Sequence, residues 1–324
     1  MHGFKLGTRG SQLALFQAHS VADLLRDRAG VTCEIVVIKT SGDRLAEASL
    51  SEIGGKRLFV KEIEDALLSG DIDLAVHSSK DMPAVLPPGL QLGAVLPRED
   101  PRDAVVLPAD DAASLTLDDL VKRLGRSPRI GTSSIRRTAQ LTRLFPGAQF
   151  LPVRGNLGTR LAKVDARNDF DALVLAAAGL KRLRHEARIS AFLPVEACVP
   201  APGQGIIAVE VREGDARVLA PLKAVDDAAA SAALTAERAV VTRLGGGCQM
   251  PIGAYAALHD GELVLTGIVV SVDGAQAARA DVRGSAADAY AVGIRAAEEL
   301  LARGAAEILA TVQREHGAVE GLQP

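Results

Sequence analysis

The sequence has no tryptophan, two tyrosines and seven phenylalanines in 324 residues. Proteins that hold single-stranded nucleic acid need aromatic platforms for the bases, so that class is disfavoured from the start. Cysteine is also scarce: Cys33, Cys198 and Cys248 stand far apart, with no CxxC pair. An odd number without framework spacing argues against a secreted disulfide scaffold and against a zinc site, and no metal is expected. No stretch approaches the ~20 uncharged apolar residues of a transmembrane helix. The N-terminal MHGFKLGTRGSQLALFQA lacks the basic, apolar and small-residue sections of a signal peptide. A soluble, cytoplasmic protein is the expectation. Excess charge of one sign is missing too. The 37 Lys and Arg against 40 Asp and Glu give a net charge of −3, which offers no basis for a nucleic-acid or anionic-membrane partner.

What is present starts with arginine. Of the 37 basic residues, 28 are Arg and nine are Lys. Arg is the residue for bidentate contacts to carboxylate or phosphate, because its planar fork meets two oxygens at once. Composition bias explains such an excess equally well until the positions are considered. The chain also exceeds the ~250–300 residues at which single cores stop growing, so two or three domains are expected.

Residues 34–39 (EIVVIK) read as a strand, 59–68 as a helix and 72–76 (IDLAV) as a buried strand. Such alternation predicts parallel strands with crossover helices and ligands at the carboxyl ends of the strands. A break at Pro97–Pro101 is followed by a second alternating block from Arg129 to about Pro200. In that block IRRTAQLTRLF and LGTRLAKV read as helices, and AQFLPV and DALVLAAAG as strands. PAPGQGIIAVEV (200–211) suggests a hinge crossing back to the first block. Beyond Asp226 a helix at 232–244, the loop GGGC, strand-like runs such as 262–272 and two helices divided by Arg303-Gly304 make a third α/β unit.

Residues 129–188 carry ten Arg and two Lys against four acidic residues, a local balance of +8. A charge run is ordinarily a solvated face. Here, however, Arg136, Arg137, Arg154 and Arg160 fall at strand–loop–helix junctions, where α/β proteins bind ligands. Ser133 or Ser134 is placed to cap the helix that begins near Ile135, adding backbone N–H donors for an anion. A polyanion site follows, with phosphate and carboxylate equally suited. A nucleotide is disfavoured, since neither a P-loop nor GxGxxG occurs. DIDLAVHSSKDMP (71–83) ends a buried strand in His77, Lys80 and Asp81. An Asp beside a Lys suits general acid/base work, although a lone Asp more commonly caps a turn. His77 reads as structural. GGGCQMP (245–251) sets Cys248 in a glycine loop, where a thiolate is accessible as a nucleophile; Cys33 and Cys198 read as inert. LGTRGSQLALFQA (6–18) is a second helix start suited to anions, and residues 41–58 read as a lid or an ordinary surface loop.

Eight motifs occur in order: TRGSQLAL (8–15), GGKRLFVKEIEDALL (54–68), DLAVHSSKDMP (73–83), RIGTSSIRR (129–137), VRGNLGTRL (153–161), AAAGLKRL (176–183), PAPGQG (200–205) and GGCQMPIGAYA (246–256). On these the chain resembles the porphobilinogen deaminase family over nearly its whole length. The resemblance implies an α/β fold of three domains, the first two like type-2 periplasmic binding proteins hinged over a cleft, the third carrying a cofactor cysteine. The matching boundaries are 1–98 plus 204–224, 99–203 and 225–324. The family condenses four porphobilinogen molecules head to tail with loss of ammonia, on a dipyrromethane primer held by a thioether, and hydrolysis frees hydroxymethylbilane. Carried over by motif, Cys248 bears the dipyrromethane and Asp81 is the catalytic aspartate. Lys80, Ser134, Arg136, Arg137 and Arg160 hold the cofactor. Arg9, Ser11, Gln17, Arg154, Arg182 and Gln204 hold the substrate, and Phe59 stacks on the pyrrole rings. The family also implies a monomer. Departures are small: Phe16 stands where many relatives have Trp, and the residues after Gln313 match nothing and are expected to be loose.

Two rivals come from other classes. A non-enzymatic solute-binding protein suits a two-domain cleft, but needs neither the Lys80-Asp81 pair nor Cys248. A sensor domain of a transcription regulator requires a helix-turn-helix, and none is evident.

Overall fold

The computed structural model describes residues 3–40, 60–111, 113–247 and 250–317. Strand β1 (Phe4–Thr8) leads into helix α1 (Gln12–Ala29), whose start is set by Ser11, the side chain of which accepts from the Ala14 N–H. β2 (Cys33–Val37) lies parallel to β1. Helix α2 (Lys61–Ser69) precedes β3 (Leu74–Ser78), which pairs in parallel with the other side of β1, and β4 (Leu90–Val95) follows. Ala18, Val21 and Leu25 recur at helical spacing on α1 and meet Phe4, Leu6, Leu74 and Val76 in one core.

The chain then crosses into a second sheet. Its elements are β5 (Asp103–Val106), α3 (Leu117–Leu124), β6 (Arg129–Gly131), α4 (Ile135–Leu144) and β7 (Gln149–Leu151). They continue with α5 (Leu157–Asp165), β8 (Ala172–Ala176), α6 (Ala177–Arg182) and β9 (Ala191–Leu193), in the strand order β7-β6-β8-β5-β9. The segment DALVLAAAG, expected as one strand, divides: the strand ends at Ala176 and Ala177 opens a helix. Consecutive alanines favour the helix once the sheet edge is passed.

β10 (Ile207–Arg212) returns to the first sheet and lies antiparallel between β3 and β4, ahead of α7 (Ala216–Leu222). The first sheet therefore runs β2-β1-β3-β10-β4. Each sheet takes its antiparallel strand from a segment that has just crossed from the other. The two crossing segments bond to each other, Leu96 N–H to Ile207 O and Glu99 N–H to Gly205 O, both at 3.0 Å. This is the hinged pair of α/β units that the sequence predicts. Gly205 is required in the hinge: its φ is +87° and a Cβ there would meet the Glu99 carbonyl oxygen at 2.3 Å.

The third unit begins with α8 (Ala228–Leu244), followed by β11 (Ile252–His259), β12 (Glu262–Val270) and β13 (Ala277–Ser285), an antiparallel sheet in that order. Helix α9 (Ala289–Ala302) packs with α8 on this sheet, and α10 (Ala305–Gly317) follows the break at Arg303-Gly304. The tail expected to loosen after Gln313 stays helical to Gly317. Helix α8 also leans on the first sheet, where Ala230 and Leu234 meet Val95 and Ile206. Among the described residues no helix is long and apolar enough to cross a membrane.

Candidate active site

β3 ends at Ser78, and a single 3₁₀ turn, Ser79–Asp81, follows at the carboxyl edge of the sheet. That turn leaves Lys80 half-buried and Asp81 exposed. Asp81 lines a recess of about 60 Å³ together with Arg9, Ser11 and Gln17. Three residues expected at the substrate thus meet the expected catalytic aspartate in one place, although they come from α1 and its approach, more than sixty residues away. Gln17 is spoken for: its side-chain amide donates to Ser78 Oγ at 2.8 Å, in the buried floor. His77, read from the sequence as structural, is buried with its Nε2 3.1 Å from Oε2 of the buried Glu210 on β10, and it also lines this recess.

The next group of expected residues lies at the start of α4. Ser134 is the cap: its hydroxyl accepts from the Arg137 N–H. Arg136 and Arg137 are nearly as buried as the core, and between them sits Asp103, fully buried at the head of β5. Arg136 Nη2 is 2.8 Å from Asp103 Oδ2, and Arg137 reaches Oδ1 through Nη2 at 2.7 Å and Nε at 3.0 Å. Arg136 also donates to Val199 O at 2.6 Å and Arg137 to Val174 O at 2.9 Å. Burial alone would raise the Asp103 carboxyl. Arg136, then Arg137, overcome that and hold it well below the usual carboxylate range. The forks of both arginines are therefore held by the protein itself, and one carboxylate between two guanidiniums leaves net positive charge on this wall.

Lys80 feels Arg136, Arg137 and Asp103 as well as its neighbour Asp81, so the turn lies within electrostatic reach of the start of α4. Burial pushes the Lys80 amine down to about 8, opposed by Asp81. Arg160, on α5, belongs to the same cluster. Burial and Arg137 lower its pKa while Asp81 raises it, and its Nε donates to Gly155 O at 2.9 Å. Four cations thus surround two carboxylates, an arrangement that attracts anions. Arg154 is half-buried after β7. Arg182 and Gln204 sit at the hinge. Arg182 Nη2 donates to Gly205 O at 2.7 Å, and burial pushes its pKa down to about 10. Gln204 is buried and donates to Pro101 O at 2.7 Å and to Asp103 Oδ1 at 2.9 Å, so its amide is spent on the fold. Cys248, Phe59 and residues 41–58 lie outside the described residues.

The +8 run includes arginines that serve the fold. Arg129 pairs with Asp171, Arg188 with Asp165, and Arg167 with Asp110 and Asp111. For these, structure rather than ligand binding accounts for the charge. Cys198, read as inert, is buried against Asp103, and its thiol is pushed up to about 12. Two further carboxylates shape this region. Asp103 carries no sequence signal, since its partners lie more than thirty residues on. Glu237 did carry one, a carboxylate on the apolar stripe of α8. It is fully buried and grips Arg98 through two 2.7 Å contacts, the Gly203 N–H at 2.6 Å and the Ala256 N–H at 2.7 Å. One side chain thereby joins both hinge segments to the third unit.

Comparison with known proteins accords with this layout. A family profile described as "Porphobilinogen deaminase, dipyromethane cofactor binding domain" matches residues 4–220, and "Porphobilinogen deaminase, C-terminal domain" matches 231–302. The porphobilinogen deaminase of Moorella thermoacetica is 47% identical over 318 residues, covering 98% of this chain and 99% of that one. The Brevibacillus brevis protein of the same name is 48% identical over 318 residues, with the same coverage. Among solved structures, substrate binding domain 2 of Lactococcus lactis GlnP in its open conformation aligns with TM-score 0.43 and 10% identity, over 70% of this chain and 87% of that one. That likeness is too loose to speak to function.

Proposed function

The chain belongs to the porphobilinogen deaminase family, and from that premise we propose that it is a hydroxymethylbilane synthase, a transferase of tetrapyrrole biosynthesis. It joins four porphobilinogen molecules head to tail, releasing four ammonia molecules, and water then frees the linear product. The proposed division is residues 1–98 with 204–224, 99–203 and 225–324, in keeping with the three separate sheets. Action as a cytoplasmic monomer, on a small-molecule substrate and without nucleic-acid or membrane partners, is part of the same proposal and rests on the family alone.

The cationic cluster of Lys80, Arg136, Arg137 and Arg160 around the Ser134 cap fits a dipyrromethane in chemistry, because that group carries four carboxylates. Attached at Cys248, a dipyrromethane supplies the pyrrole carbon to which the first unit is joined. Lys80, Arg160 and the Ser134 helix start would hold its carboxylates, with Arg136 and Arg137 adding positive charge from behind. Arg9, Ser11 and Arg154 would orient the acetate and propionate of the incoming porphobilinogen, and Arg182 would assist from the hinge. Gln17 and Gln204 would shape the floor, and Phe59 would stack on the rings.

One observation carries the chemical reading: Asp81 lines the recess that also holds Arg9 and Ser11, and its charge reaches Lys80 and Arg160. In each condensation the substrate's C–N bond breaks and ammonia departs, leaving a positive charge spread over the pyrrole. A carboxylate near the pyrrole N–H stabilises that charge. A carbon–carbon bond then forms, and the attacked ring carbon gives up a proton that Asp81 would accept.

The test is intact mass together with turnover. Active protein should carry the mass of a dipyrromethane, and Cys248→Ser should remove both that mass and activity. A bare polypeptide mass in active protein would overturn the assignment. Arg154→Lys keeps the charge but loses the fork, so kcat/KM should fall by about tenfold or more; unchanged kinetics would remove Arg154 from the site.

A further inference from the structure

We propose that Arg238, in the middle of α8, is a positioning residue for the turn that carries Lys80 and Asp81. Its Nη2 donates to Ala84 O at 2.8 Å, across the boundary between the third unit and the first. Ala84 lies three residues beyond Asp81 and packs on the core of the third unit. Of the two residues between them, Met82 is buried and its N–H bonds back to Ser79 O at 3.2 Å. The other is Pro83, whose ring fixes φ. A displacement at Ala84 has little slack in which to dissipate before it reaches Asp81.

The other flank of the turn is held by the neighbouring side chain of the same helix. Ser79 N–H donates to Ile206 O at 3.0 Å. Its side chain also abuts Gly203, where a Cβ would come within 2.5 Å of Ser79 Oγ. The Gly203 N–H in turn donates to Glu237 Oε2 at 2.6 Å. Glu237 and Arg238 therefore bracket the turn from both sides. Helix α8 ends at Leu244, four residues before Cys248. At ~1.5 Å per residue the helix spans only about 9 Å from Arg238 to its end. One rigid rod thus carries the side chains that hold both flanks of the turn. Arg238 itself lines a different cavity, about 430 Å³, with Leu92, Thr242 and Tyr290, and does not line the Asp81 recess. Its effect on the reaction is exerted through the Ala84 carbonyl.

The inference rests on the roles proposed for Asp81 and Cys248. Its test uses the cofactor-loaded full chain with Arg238→Ala, Arg238→Lys and Asp81→Glu. In Arg238→Ala, kcat should fall between about ten- and a hundredfold, the loss typical of a misplacement near 1 Å. KM for porphobilinogen should stay within about twofold, and the attached mass should be unchanged. Arg238→Lys should recover much of the loss, since an ammonium still reaches one carbonyl. Millimolar guanidinium should partly restore the Ala variant through the open cavity, but not Asp81→Glu. A kcat within twofold of the parent in Arg238→Ala overturns the proposal, as does a loss that tracks only the folded or cofactor-bearing fraction. Should the Ala variant not fold, Arg238→Lys decides alone: its kcat must be reduced at unchanged KM. Full activity in Asp81→Glu refutes the role of Asp81 instead, whereas lost activity there beside unaltered Arg238→Ala kinetics refutes only this inference.

Discussion

Replacing Asp103 by Asn is the most searching perturbation of the cleft wall. The substitution keeps the shape and removes the charge. Asp103 is fully buried and receives two donors from Arg137, one from Gln204 and one from Arg136, with the Cys198 thiol 3.3 Å away. If the amide oxygen stays with Arg137 and Gln204, the amide nitrogen must face Arg136, donor against donor. Two buried guanidiniums then lack their counterion. Removing one partner of a buried ion pair costs about 3–5 kcal/mol. At roughly 4–8 °C per kcal/mol for a unit of about 100 residues, the melting temperature should drop by at least about 12 °C. Calorimetric melts at pH 7 read this directly. The pH dependence supplies a second check. A carboxyl held below its unfolded value near ~3.9 contributes stability that is whole above that pH and lost as pH falls toward the folded value. The gap between parent and variant should hold constant from pH 7 to about 5 and shrink only below about 4. A drop under about 3 °C at pH 7, or a gap unchanged down to pH 3, would refute the reasoning.

Lys80, pushed by burial to about 8, should lose its charge as pH rises through that value. KM for the carboxylate-bearing substrate should then climb above pH 8 in the parent and less in Lys80→Arg, as pH-dependent steady-state kinetics would reveal. Because this amine's pKa is lowered on folding, its cost to stability is present below about 8 and fades as pH rises toward the unfolded value. Glu237→Gln should destabilise by about 3 kcal/mol, since Arg98 loses a buried partner. It should also speed amide hydrogen exchange at Gly203 and Ala256; exchange rates equal to the parent's would show that Glu237 does not hold the hinge.

Much of the site was legible in local patterns. Ser134, one of the two serines offered as a cap, does cap its helix, and the helix start read at residues 6–18 is there, because such starts depend on the residues of a single turn. The Lys80-Asp81 turn follows from a strand that runs out of apolar residues at Ser78. The strand-to-helix switch at Ala176–Ala177 was not legible, since alanine tolerates both states and only the sheet edge decides between them. Nor was it visible which arginines are spent on the fold. Arg129, Arg167 and Arg188 find their carboxylates in loops and strands that only folding brings near.

By itself, the sequence determined the α/β alternation, the helix starts at the anion-suited loops, the family and the roster of charged side chains. Those properties depend on neighbours along the chain. The tertiary structure alone decided where the arginine forks point, because the burial of Asp103 spends two of them on the protein and leaves their charge to the cleft. It alone decided that Glu237 and Arg238, unremarked on an alanine-rich helix, reach the hinge and the Asp81 turn. A charge's partner is set by distance in space, and sequence separation does not encode it.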